Sequence, residues 1–290
     1  MVLAPVYQPF DILGEVPIWC VRRNRLIWTD VRACRMHVWD PATGTDETFL
    51  TPDWIGAFAL TDGDALLLAS RKSLLLHDMA SGCSRTLAVF EADMPVNRSN
   101  DGRCDRQGRF WIGTLNNHER IPTGQLYLYS RGALAHVRSD IIVPNALAWS
   151  PDGATMYFTD SWAGHIWAYD YDRGTGEVSG ERVFLDKDAL PGIPDGATVD
   201  ADGCLWNARY GAGQVARITP SGEVDQILEV PTRNLTAVAL GGSDMRDLFV
   251  TSARQRMSEA ELAADPHAGS LFHARVTTPG LPEPTFNAAA

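Results

Sequence analysis

Asn97-Arg-Ser-Asn-Asp-Gly-Arg-Cys-Asp-Arg-Gln-Gly-Arg-Phe-Trp-Ile-Gly-Thr114 is the stretch on which the reading of this chain turns. It starts with a polar cluster, Arg98, Asn100 and Asp101, passes a glycine turn, and ends in a β-rich run at 109–114. Runs of the same kind recur at 26–30, 65–69, 155–160, 204–208 and 247–251. Their central large residues, Trp28, Leu67, Trp111, Tyr157, Trp206 and Phe249, stand 39, 44, 46, 49 and 43 residues apart. A second run follows each, at 35–39, 73–77, 125–129, 165–169, 214–218 and 270–274. Glycine turns such as Asp40-Pro-Ala-Thr-Gly44 and Pro220-Ser-Gly222 punctuate the pattern. Short strands repeating every ~40–50 residues, about four to a unit and without long helical periods between them, mark the blades of a β-propeller. Six units predict an all-β, six-bladed β-propeller, one domain spanning 1–290, against the competing β-sandwich or pair of stacked barrels. Residues 2–9 are expected to pair with the last unit and close the ring. The one helical piece, 258–264, opens with Ser258 and Glu261 spaced as a capping box and reads as a surface excursion.

Composition narrows the function classes. The net charge is −11, with no Lys/Arg block, which argues against nucleic acid or an anionic membrane surface as a partner. No apolar run approaches the ~20 residues that span a bilayer, and the first residues lack the basic and apolar regions of a signal peptide. Five scattered cysteines form no CxxC pair and read as reduced thiols. These features predict a cytoplasmic protein, monomeric or weakly homo-oligomeric. GxSxG, HExxH and phosphate-loop motifs are absent from the sequence.

The repeat allows polar residues to be compared by phase. Glu15 lies 13 residues before Trp28, Asn100 lies 11 before Trp111, Asn145 lies 12 before Tyr157, and Asp195 lies 11 before Trp206. Equivalent points on the innermost strands of a propeller converge at one end of the central channel. Taken alone, Gly14-Glu15 reads as a solvated loop, Asn145 as a turn former after Pro144, and Asp195-Gly196 as a hairpin turn. A shared phase has no explanation in such terms. It predicts two carboxylates and two carboxamides around one point, an oxygen-donor set suited to a divalent cation. Ile55 and Ala237 fall near that phase in the other two units, so the cluster is expected to be one-sided. Trp54, Trp162 and Tyr210 are candidates for the rim of the site.

The same residues carry a family resemblance. Leu13-Gly-Glu-Val-Pro-Ile-Trp19, Asn97-Arg-Ser-Asn-Asp-Gly102 with Gly108-Arg-Phe-Trp-Ile-Gly-Thr114, Pro144-Asn-Ala-Leu-Ala-Trp-Ser-Pro-Asp-Gly153, and Pro194-Asp-Gly196 with Gly203-Cys-Leu-Trp206 resemble, in order, four motifs of the SMP-30/gluconolactonase/regucalcin family. The resemblance covers essentially the whole chain. It implies a six-bladed propeller that hydrolyses a sugar lactone with one divalent metal ion, and the sequence does not choose among Ca²⁺, Mg²⁺, Mn²⁺, Zn²⁺ and Fe²⁺. It implies that Glu15, Asn145 and Asp195 bind the metal, that Asp195 also moves a proton, and that Arg98 and Asn100 contact the substrate. The chain departs from the pattern in two places. Val16 and Ala146 stand where glycines are usual beside two ligands, which is expected to tighten the backbone and leave the ligands in place. Asn116-Asn117-His118 stands where animal members carry a substrate-contacting Glu, which makes His118 the candidate there.

Lactone hydrolysis is the leading function. Hydrolysis of other esters or organophosphates on the same fold is the alternative enzyme, and a non-catalytic cation-binding propeller is the third reading, since fold alone does not decide function. An acidic protein does not repel a neutral lactone and is expected to repel the aldonate product, which favours release.

Overall fold

The computed structural model of the chain describes residues 3–289. Six four-stranded antiparallel sheets follow one another as blades. The first is Gly14–Cys20, Arg25–Asp30, Arg35–Trp39 and Asp46–Leu50, from the innermost strand outward. Each innermost strand packs against that of the next blade, and that of the sixth, Leu235–Gly241, against that of the first, so the ring is closed. The sixth blade takes its outer strand from the other end of the chain: Ala4–Tyr7 pairs with Leu271–Arg275, Ala4 opposite His273 and Pro5 opposite Phe272. This is the expected closure; Val2 lies outside the described residues. The helix is Glu259–Ala264, with Ser258 as N-cap and both halves of the capping box formed with Glu261. Among the described residues no helix is long and apolar enough to cross a membrane.

Packing explains the period. The six central residues Trp28, Leu67, Trp111, Tyr157, Trp206 and Phe249 all lie in the second strand of their blades and are buried. There they fill the space between neighbouring sheets, Trp111 with Trp149 and Phe158, Trp206 with Val238 and Leu240. The indole N–H groups of the three central tryptophans are paired: Trp28 Nε1 donates to Asp11 Oδ2 at 2.7 Å, Trp111 Nε1 to Tyr171 Oη at 3.1 Å and Trp206 Nε1 to Asp200 Oδ2 at 2.9 Å. A buried donor without a partner would cost roughly 1–3 kcal/mol.

The innermost strands share a second feature. Each loses its register with the second strand at one place: Glu15/Ile18, Ile55/Ala57, Ser99/Gly102, Asn145/Ala148, Pro194/Ala197 and Leu235/Val238. Such a bulge bends the strand and re-aims its side chains. The four in-phase residues, Glu15, Asn100, Asn145 and Asp195, sit at or beside these bulges, and none of the four is in a loop or hairpin turn. Two bulges carry a backbone cost, because Val16 has φ +48° and Ala146 φ +56°, the left-handed region that favours glycine.

The far end of the channel is crossed by the C-terminal segment, which no repeat in the sequence announces. Pro279 O accepts from Ala201 N at 2.9 Å, Gly280 N donates to Met245 O at 2.7 Å, and Phe286 N donates to Leu60 O at 2.6 Å. Glu283 from this segment pairs with Arg103 of the third blade's innermost strand at 3.0 Å.

Candidate active site

The four in-phase residues meet at the end of the channel opposite the C-terminal segment, lining a cavity of about 300 Å³. That is the lower end of the usual range for small-molecule sites, about 300–1,000 Å³, and suits a ligand of monosaccharide size. The cluster is one-sided as expected, with Ile55 and Ala237 buried at the equivalent points of the other blades.

A hydrogen-bond chain joins the third, fourth and fifth blades across the floor. Arg98 Nη1 donates to Ser99 O at 2.7 Å and to Asn100 Oδ1 at 3.1 Å. Asn100 Nδ2 donates to Pro144 O at 2.9 Å and to Asn145 Oδ1 at 3.1 Å. Asn145 Nδ2 donates to Ser161 Oγ at 2.8 Å, and Ser161 Oγ donates to Pro194 O at 2.7 Å. The chain fixes both carboxamides: Asn145 presents its oxygen, with one lone pair taken by Asn100 and one free.

The carboxylates are left short of donors. Asp195 is held by its main chain, where Asn207 Nδ2 reaches its carbonyl at 2.8 Å, while its side-chain Oδ1 is buried without a hydrogen-bond partner. Burial, and then the charges of Glu15 and Asp101, push the Asp195 carboxyl well above its ordinary range. Burial and Asp101 push Glu15 up to about 8, against the opposing pull of Arg98. Asp101 is a third acid beneath the floor, absent from the phase comparison; its Oδ2 accepts from Leu147 N at 3.0 Å. Desolvated, mutually repelling carboxyls are stable only protonated or beside a cation. Among the described residues no three His, Cys, Asp or Glu side chains gather as a metal cluster. The donor set at the floor therefore depends on a carboxamide oxygen as well as on acids, and it contains only oxygen.

The rim differs from expectation. Trp162 and Tyr210 line the cavity. Trp54 does not, and lies instead under the Arg32 guanidinium, 4.2 Å from ring centre to carbon. His118 is exposed and outside the lining, its main-chain N–H turned back to Asn116 Oδ1 at 2.9 Å. The turn that follows the second strand folds His118 outward and Asn117 inward. Asn117 Oδ1 accepts from Arg98 Nε at 3.2 Å and from Arg32 Nη2 at 3.0 Å. Arg32, Arg120, Arg233 and Arg256 also line the cavity and were not anticipated. Arg32, Asn117, Ser161, Trp162 and Arg256 occupy turns just past the second strands, and Tyr210 ends one of those strands, all 4 to 7 residues after their central large residues. These positions share neither a fixed spacing nor a residue type, so the sequence carries no signal that singles them out as a group.

Residues 13–254 match the family model described as SMP-30/Gluconolactonase/LRE-like region. A protein of Pseudomonas putida named 6-deoxy-6-sulfogluconolactonase is 39% identical over 284 residues, 97% of each chain. The L-arabinolactonase of Azospirillum brasilense is 37% identical over 283 residues, 95% of this chain and 92% of that one. Among solved structures, the calcium-binding protein regucalcin from Agrobacterium tumefaciens superposes with a TM-score of 0.95 at 32% identity, covering 99% of this chain and 98% of that one. The chain belongs to the SMP-30/gluconolactonase/LRE-like family.

Proposed function

We propose that the protein hydrolyses a sugar lactone to its aldonic acid, with one divalent cation held by Glu15, Asn145 and Asp195. The observation that carries this reading is the unpartnered, buried Asp195 Oδ1 beside a second raised carboxyl and a free carboxamide lone pair. Acids so placed fit a hard cation. When bound, the cation acts as a Lewis acid on the lactone carbonyl and makes the attacking water more acidic.

The remaining work falls to side chains. Asp195 Oδ1 takes the proton of the water as its oxygen joins the carbonyl carbon. The same atom returns that proton to the ring oxygen as the ring C–O bond breaks, general base and then general acid. Arg98 and Asn100 are braced against Asn117 and Asn145, and that bracing orients them for the hydroxyls and carbonyl of the sugar. The relatives' printed names as sugar lactonases support the reaction class. All five cysteines are free, which suits a reducing compartment such as the cytoplasm.

The test is proton release from a panel of sugar lactones by metal-stripped protein, with single divalent ions restored and spontaneous hydrolysis subtracted. Ion-dependent acceleration is the expected result, and the ranking of lactones identifies the sugar. Failure with every ion turns the assignment to ester hydrolysis or to cation binding alone.

A further inference from the structure

The mouth of the cavity contradicts the charge of the protein. Overall the chain carries −11, yet five arginines and two carboxylates, Glu15 and Asp195, line this cavity. Expulsion of a product anion by a negative protein, expected from composition, does not hold at this surface. Of the five, Arg233 is neutralised by Glu261. Among the described residues, Arg32, Arg98, Arg120 and Arg256 have no carboxylate within ion-pair distance. They are close enough to oppose one another: burial and then Arg256 lower the guanidinium pKa of Arg32 and Arg120, and burial and the other three lower that of Arg98 to about 9.

Arg32 spends Nε on Gln255 Oε1 at 2.7 Å and Nη2 on Asn117, which leaves its Nη1, whereas among the described residues Arg120 and Arg256 make no side-chain hydrogen bond that would occupy their donors. Arg120 stacks on Trp162 at 4.5 Å and Arg32 on Trp54 at 4.2 Å. Stacking through the face fixes a guanidinium without using its in-plane N–H groups, so Arg120 keeps its whole fork and Arg32 its Nη1 for an oxyanion. Asn117 Oδ1 draws Arg98 and Arg32 together by accepting from both. Drawing like charges together opposes stability, and an entering anion offsets that repulsion.

We propose that the lactone taken by this cavity carries a tetrahedral oxyanion, phosphate or sulfonate, on the carbon farthest from its ring carbonyl, gripped by Arg32, Arg120 and Arg256. This rests on the lactonase reading and deepens it. The two acids sit on the floor with Asn145, where the carbonyl reacts, and the free arginines Arg32, Arg120 and Arg256 stand in the turns around the mouth. A lactone with its anion at the far end matches that polarity from floor to rim.

The experiment compares one hexonolactone with the same lactone bearing a terminal phosphate or a terminal sulfonate. The anionic forms are expected to show a kcat/KM about ten-fold or more above the neutral one, mainly through KM, with the advantage shrinking as salt rises. The better of the two anions identifies the group. In Arg120→Gln/Arg256→Gln the ratio of anionic to neutral kcat/KM is expected to fall toward one. Arg85→Gln, on an exposed outer strand, is the charge control and leaves the ratio unchanged. Equal kcat/KM for neutral and anionic lactones, with a ratio indifferent to the double variant, overturns the proposal and leaves the lactonase reading standing. If no lactone is hydrolysed, the lactonase reading falls, and calorimetry decides the arginines separately. Tighter binding of the terminal-phosphate aldonate than of the plain aldonate, abolished in the double variant, supports an anion grip. Equal binding of the two overturns it.

Discussion

Glu15 and Asp195 are carboxyls whose folded environment prefers the proton, and the sign of that preference gives a test. Burial holds Glu15 at about 8, above its ordinary value of 4.5. Between those pH values the folded, metal-free protein keeps a proton that the unfolded chain releases, so stability falls as pH rises. The melting temperature of chelator-treated protein is expected to drop from about pH 5 to pH 8, and an added divalent ion is expected to reverse the drop, since it binds the ionised form. Glu15→Gln should flatten the metal-free profile and abolish the rescue; a wild-type profile that is flat without metal would show that the floor acids are not strained. Asp195→Asn separates chemistry from fold. It removes a buried unpartnered carboxylate, so the metal-free variant should melt no lower than wild type at pH 8. Turnover is expected to fall by about 10²–10⁴, the usual worth of a positioned acid–base group. Unchanged turnover would remove Asp195 from the mechanism.

The blade repeats two elements, and both govern what the sequence discloses. The second strand carries its large residue to the sheet-to-sheet interface, so truncation there leaves a void: Trp111→Ala is expected to cost about 3–5 kcal/mol in urea unfolding. That demand for one bulky apolar residue per blade is why the six-fold frame was legible from spacing alone. The innermost strand carries the bulge. Its side chains fall at one phase, so Glu15, Asn100, Asn145 and Asp195 could be found together although each alone resembles a turn residue. The bulge also explains the two departures from the family pattern, because Val16 and Ala146 take up positive φ where glycine would be at ease. Ala146→Gly exchanges a left-handed alanine, a cost of about 1–2 kcal/mol, against the usual glycine penalty, so its stability change should be close to zero. Ala148→Gly, in the same strand without positive φ, should lose about 1–2 kcal/mol. Equal losses at the two positions would mean that the bulge at Ala146 is unstrained. The rim was illegible for the opposite reason. Arg32, Arg120 and Arg256 belong to turns of unequal length, where no repeated packing requirement fixes a residue type. His118 was named in place of its neighbour Asn117 because sequence does not say which residue of a turn faces inward.

At the scale of the whole molecule, a ring of blades leaves a channel open at two ends, and this chain uses the ends differently. One end is the cavity; the C-terminal segment crosses the other and bonds to the second, third, fifth and sixth blades. The seal has two anchors. Phe286 is 6% exposed and packs with Tyr129 and the core between the first three blades, while Glu283 meets Arg103 where both side chains are largely buried. Arg103 also donates to Ala197 O on the fifth blade, so it ties two blades across the channel beneath the site. Such an arginine without its carboxylate is a buried charge with one partner lost, and Glu283→Gln is expected to cost about 2 kcal/mol in urea unfolding. Phe286→Ala should cost roughly 3 kcal/mol through the cavity it leaves. The two lie three residues apart on one segment, so the double variant should lose less than the sum if releasing one anchor already frees the segment. Activity is the discriminating readout. Glu283 is separated from the reacting atoms by Arg103 and Asp101, and Glu283→Gln should keep its lactone kcat within about two-fold at a temperature where it remains folded. A larger fall in kcat without a change in KM would mean that the far seal also governs the electrostatics of the floor. Asp101 is the acid through which that influence would pass, since Arg103 and Glu283 both act on its carboxyl and it in turn raises both Glu15 and Asp195.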